Sequence, residues 1–298
     1  MNPTDSVSRR HFLAGTLGAG ALVTGLGTGV LLAPKTTHAA EPISIPLPYA
    51  FLNHNGSLVP VLDPEEVRYN AYSEYFQGGC MHGAATGLIL GFKDAFKNQN
   101  TDWDLFPIGI YKYGAGGISG WGTVCGILNG VTAVLNLLNL HGKLGHEIVG
   151  WYSTTLFPTN LCEDYVAETG QAAIPDDEVR AHTVSDSPLC HISISKWCRA
   201  AGGRVADKSP EGIKYKDDRC SKICADTAAK TAELINEYVE NGSIVGDYET
   251  PDHFADCLGC HSERKDQVGK MDCFGCHSPR DAVLVSRRHP KGLRKEQR

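Results

Sequence analysis

Two runs of the form Cys-x-x-Cys-His, Cys257-Leu258-Gly259-Cys260-His261 and Cys273-Phe274-Gly275-Cys276-His277, are separated by eleven residues within the final stretch 251–298. That stretch is short and poor in apolar side chains, so it cannot build a core from its own residues. Something covalent or metallic has to hold it. Two thiols three positions apart reach both vinyl groups of one porphyrin, and the histidine that follows meets the iron from the same side. Cys257, Cys260 and His261 therefore read as the attachment site and proximal ligand of one haem c, and Cys273, Cys276 and His277 as those of a second. The competing reading is a zinc ribbon, because the four cysteines also spell Cys-x2-Cys, twelve residues, Cys-x2-Cys. A histidine directly after each pair favours haem.

The other end of the chain obeys different rules. Ser8-Arg9-Arg10-His11-Phe12-Leu13 precedes a weakly hydrophobic Gly/Ala-rich run from Ala14 to Ala33, and Ala39-Ala40 supplies small residues for cleavage. Residues 1–40 read as a twin-arginine signal peptide, which places the mature chain in the periplasm, where haem c is attached. The alternative is an amino-terminal anchor, for which the run is too glycine-rich. The formal charge of -6 becomes more acidic once Arg9, Arg10 and Lys35 are removed with Asp5. This excludes a general nucleic-acid binder, which needs a basic face. From Tyr113 to His141 no residue is charged, yet Asn129, Asn136 and Asn139 would be costly in hydrocarbon. A buried core helix is expected there rather than a membrane span.

Between these ends, residues 41–250 read as a mainly α, cysteine-rich domain. Glu41 to Pro64 is proline-rich and suits an extended arm on a neighbouring subunit. Asp63-Pro64-Glu65-Glu66 then gives an N-cap, a first-turn proline and two acids. Helices are expected over Arg68–Phe76, Cys80–Phe96, Gly120–Leu140, Lys143–Tyr152, Pro188–Ala201 and Arg219–Asn241, with apolar residues on a 3.6-residue period and Gly242 ending the last. No stretch alternates well enough to be a strand. Residues 251–298 form a dihaem segment of little secondary structure, ending in a basic tail.

The sixth iron position separates an electron carrier from a reductase. Two strong axial ligands leave no room for substrate, whereas an open iron admits nitrite, hydroxylamine or peroxide. His253, beside the haem segment, and His191, after a cysteine at a helix start, lead as distal ligands; His54, His82 and His289 remain open. Seven further cysteines, Cys80, Cys125, Cys162, Cys190, Cys198, Cys220 and Cys224, precede the haem segment. An odd number prevents complete pairing within one chain. Cys220 and Cys224, and Cys190 and Cys198, are spaced to share helix faces and converge on a metal. Twin-arginine export carries folded proteins and suits a cofactor inserted before export, so an iron-sulfur cluster is favoured over disulfides or unligated thiols.

Together, Gly78-Gly79-Cys80-Met81, Lys112-Tyr113-Gly114-Ala115-Gly116-Gly117, Gly120-Trp121-Gly122 to Cys125-Gly126, Ser187-Pro188-Leu189-Cys190-His191 and the paired haem runs resemble split-Soret cytochrome c of sulfate-reducing bacteria. The same cysteines are similar to a wider class of redox proteins with an ordered cysteine, Cys-Gly helix, cysteine, cysteine pattern. The resemblance implies a cluster, [2Fe-2S] being the favoured form, on Cys80, Cys125, Cys190 and Cys220, with Cys198 and Cys224 as alternates. It also implies two closely stacked bis-histidine haems per subunit, a homodimer and periplasmic redox partners. The sequence departs from the class pattern at Cys125-Gly126-Ile127-Leu128-Asn129-Gly130, where an expected alanine is absent.

Overall fold

Asp63 opens the first described element, its carboxylate accepting from the backbone N–H of Glu65 (2.9 Å) and Glu66 (3.3 Å) while Pro64 takes the first helical position. The computed structural model describes residues 62–97, 103, 106–162, 174, 180–258, 261 and 270–275. The expected signal peptide, the arm up to residue 61 and the basic tail lie outside them. Helices α1 (Pro64–Gly78), α2 (Cys80–Ala95), α3 (Gly126–Leu137), α4 (His141–Thr154), α5 (Cys190–Ala200), α6 (Tyr215–Asn241) and α7 (Asp252–Leu258) dominate. The mainly α class is thus observed. The expected absence of strands is corrected, among the described residues, by a two-residue antiparallel pair, β1 (Leu156–Phe157) with β2 (Thr183–Val184), in the register Leu156 to Val184. Two residues are too few to leave an alternating pattern in the sequence.

Helices α2 and α6 form the middle of the bundle, with α1 packed on both and α3 on α2. The α1–α2 seam is made of glycine. A Cβ on Gly83 would come within 2.8 Å of the Tyr75 backbone, one on Gly87 within 2.6 Å of Ala71 Cβ, and one on Gly91 within 2.6 Å of Val67 Cγ2. This i, i+4, i+8 ridge lets the two backbones close together. Leu88, Phe92, Val131, Val134, Leu135 and Ile148 fill the space beyond it. The charge-free stretch holds a buried core helix in its second half, α3, and among the described residues no helix is long and apolar enough to cross a membrane.

The expected start of α3 at Gly120 is corrected to Gly126. Gly116, Gly117, Gly120 and Gly122 all have positive φ, which builds a tight loop instead of a helical turn. The missing class alanine has a steric cause: a Cβ on Gly126 would overlap the Gly114 carbonyl oxygen. Helix α6 begins four residues before its apolar period, at Tyr215, because Asp217 and Asp218 favour its N-terminus; Gly242 (φ 72°) closes it through its N–H to Tyr238 O. Helix α7 was not expected. Its Phe254 is almost fully buried, so the start of the 251–298 segment is anchored by a side chain of its own.

Candidate redox centre

Three of the seven cysteines of the helical domain stand at helix N-termini. Cys80 is the first residue of α2, Cys125 caps α3 and Cys190 opens α5. The left-handed turn at Gly79 (φ 83°) swings the chain from α1 into α2 and so delivers Cys80. Cys125 N–H donates to Pro188 O and Cys190 N–H to Thr123 O, both at 2.8 Å, which ties the two cysteine loops to each other. A fourth thiol, Cys220, comes from the second turn of α6, one turn beyond Lys216.

These four feel one another's charge, Cys80, Cys125 and Cys220 from buried positions and Cys190 from a half-buried one. The Cys80 thiol is hydrogen-bonded to Cys220, and that bond is the largest influence holding Cys220 down to about 6; the cations of Lys216 and Arg219 act in the same direction. Cys80 is correspondingly raised, first by that bond and then by burial. Burial raises Cys125 against the opposing hydrogen bond from Tyr152, and pushes Cys190 up to about 12 with help from Cys125 and Cys220. The grouping thus favours one thiolate among several thiols. Lys216 Nζ is itself held by Asp217 Oδ1 (2.5 Å) and Tyr75 Oη (3.2 Å).

Among the described residues no cysteine is in a disulfide, and no three His, Cys, Asp or Glu side chains form a ready-made metal cage. An all-sulfur donor set beside two cations, largely screened from water, fits iron-sulfur chemistry, which draws on thiolates and tolerates the resulting negative charge.

The remaining cysteines serve elsewhere. Cys224, an expected alternate, donates to Cys80 O (3.5 Å) and Ala71 O (3.7 Å) and so secures the α1–α2–α6 junction. Cys198, the other alternate, is two turns along α5 from Cys190 and only half-buried. Cys162 clusters with Tyr72 and Ala225 on the opposite side of α6 and points its thiol at Asp226 Oδ1 (3.5 Å).

The haem segment is tied to the same wall. Asp186, at φ 53°, takes Lys196 Nζ at 2.6 Å and faces His253 Nε2 at 3.6 Å, while its carbonyl accepts from Asp272 N–H at 3.0 Å. One residue therefore fixes α7, which carries Cys257, and the turn Cys273–Gly275 that opens the second run. A Cβ on Gly275 would stand 3.5 Å from Ile192 Cδ1, so this turn lies on α5 two residues from Cys190. His253 is half-exposed and His191 exposed. His82 has no ring nitrogen to spare: Nε2 meets Glu74 Oε2 at 3.0 Å and Nδ1 meets Ile108 O at 3.3 Å. Cys273 and His261 are half-buried. The Cys257 side chain, Cys260, Cys276, His277, His54 and His289 lie outside the described residues.

Asp186, Tyr152, Ser193, Lys216 and Arg219 were not singled out in the sequence. Lys216 alone left a signal there, as a cation one helical turn before a cysteine. Arg219 stands directly before Cys220 but reads as an ordinary helix charge, and Asp186, Tyr152 and Ser193 are joined to the site by long-range contacts.

A helical bundle that gathers four thiols under two cations defines a redox-active cysteine protein. The sequence model of the family described as putative redox-active protein (C_GCAxxG_C_C) matches residues 85–234, a span holding Cys125, Cys190 and Cys220. Split-Soret cytochrome c of Desulfovibrio desulfuricans is 32% identical over 209 residues, covering 67% of this chain and 68% of the relative. A solved structure of split-Soret cytochrome c from the same organism, reported for a novel iron centre, superposes with a TM-score of 0.60 at 30% identity, covering 75% of this chain and 90% of that one. The chain belongs to the split-Soret cytochrome c family.

Proposed function

We propose that this protein is a periplasmic dihaem c-type cytochrome that passes single electrons between a thiol-held iron centre and its haem pair. The observation that carries the reading is the shared wall: Cys190 opens the helix on which the Cys273–Gly275 turn of the second haem run rests. The name of the relative adds haem, and the description of the solved structure adds an iron centre. Twin-arginine export, a homodimer and [2Fe-2S] as the cluster form belong to the same proposal and rest on the sequence and the family resemblance.

Cys80, Cys125, Cys190 and Cys220 would hold the iron centre; Cys257, Cys260, Cys273 and Cys276 would hold the haems, with His261 and His277 as proximal ligands and His191 and His253 as candidate distal ligands. Bound iron and haem supply the one-electron chemistry. The chain supplies the rest. Burial of Cys80, Cys125 and Cys220, with Cys190 half-buried, limits access of water, Lys216 and Arg219 offset thiolate charge, and Asp186 keeps the haem segment against α5. A rigid mount of this kind reduces reorganisation when charge moves.

The test is optical. Haem absorption of the full-length holoprotein should show six-coordinate, low-spin iron that does not change on adding carbon monoxide or nitrite. Prompt binding of either would instead indicate an open iron site and a reductase.

A further inference from the structure

Arg219 is a buried cation that no carboxylate pairs with among the described residues. Its residue is 3% exposed; Nη2 donates to Ser193 Oγ at 3.0 Å, and Nε has no hydrogen-bond partner. Its guanidinium carbon lies 5.8 Å from the Trp197 ring centre, and the indole Nε1 is likewise buried and unpartnered. The neighbouring acids are engaged elsewhere: Asp217 holds Lys216 at 2.5 Å, and Asp218 faces Lys222 at 3.5 Å. An unpaired buried charge is strongly disfavoured, so a fold that keeps one requires an anion nearby.

Among the described residues, its charge acts on four thiols and on the Tyr152 phenol. Arg219 precedes Cys220 on α6, and its Nη2 is held by Ser193 Oγ on α5, the helix that Cys190 opens. Its charge favours the thiolate forms of Cys125, Cys190, Cys198 and Cys220.

We propose that Arg219 is the counter-charge of the thiol-held iron centre, a positioning residue that sets its reduction potential from its buried place beside Cys220. This rests on the reading that the four thiols hold iron. Reduction adds one electron to a site that is already anionic, and a fixed cation stabilises the reduced form more than the oxidised one. Removing the cation therefore lowers the potential. Lys216 is less able to do this, because Asp217 already neutralises it.

The experiment compares the full-length holoprotein with Arg219→Gln and Arg219→Lys, measuring non-haem iron per chain and the midpoint potential of the non-haem signal. The expected result is an iron-bearing Arg219→Gln whose one-electron reduction is disfavoured at least tenfold, about 59 mV, with Arg219→Lys between it and the wild type. Loss of iron in Arg219→Gln that lysine restores also supports the proposal. A smaller shift in an iron-bearing Arg219→Gln overturns it, as does equal loss of iron from both variants, which would mark Arg219 as merely structural. Absence of non-haem iron from the wild type defeats the underlying reading and the proposal with it.

Discussion

Helix α6 carries two buried polar stripes with opposite outcomes. On one, Asp218, Lys222 and Asp226 recur every four residues, and every charge is answered. Arg68 from α1 and Thr159 bind Asp226, Lys222 Nζ donates to Ile174 O at 2.8 Å, and Ile174 N–H donates to Asp218 Oδ1 at 2.9 Å. On the other, Lys216, Cys220 and Cys224 recur at the same spacing, and beside them no carboxylate among the described residues pairs with Arg219 while thiols crowd a thiolate. A closed network of charges is a fastening; a buried imbalance of charge is a place for a cofactor.

Breaking the closed stripe should have the largest effect on stability. Asp226→Ala leaves the buried Arg68 with only the half-exposed Glu65, 3.1 Å away, and should cost about 3 kcal/mol in urea unfolding, with non-haem iron per chain unchanged. Loss of iron in that variant would show that the two stripes are not separate. Gly126→Ala strikes the cysteine side, where the new Cβ meets Gly114 O. It should cost about 1–3 kcal/mol and also reduce iron content, since the loop that carries Cys125 must shift. Cys162→Ala removes a thiol from the closed stripe and should cost about 1 kcal/mol while leaving iron in place.

The smallest effect is a titration. In metal-free protein, thiolate absorbance should show one step near 6, from Cys220. Cys80→Ser replaces the donor with the largest lowering influence and should move that step upward. Because the folded value lies below the ordinary thiol value of 9.0, the stabilisation from Cys220 is complete above that value and is lost as pH falls through about 6. Chemical unfolding between pH 9 and 6 should show this loss in the wild type and not in Cys220→Ser.

The sequence made some parts of this arrangement legible. The haem runs are local chemistry, and the helices from Cys80 and toward Asn241 show their apolar period directly. The set Cys80, Cys125, Cys190 and Cys220 came from family resemblance, since residues up to 140 positions apart have no spacing to read. Gly83, Gly87 and Gly91 were passed over because periodicity marks large apolar residues, whereas this seam depends on small ones. Asp186 and Arg219 look like ordinary surface charges in sequence. Only the fold shows that one fastens the haem segment and the other is buried beside sulfur.

The central claim is that a non-haem iron centre on Cys80, Cys125, Cys190 and Cys220 accompanies the haem pair. Counting haem and total iron per chain in the wild type and in a Cys125→Ala/Cys220→Ala double variant tests it most directly. The account predicts two haems in both proteins and additional iron in the wild type alone. Equal iron in the two, or no iron beyond haem in the wild type, would contradict it.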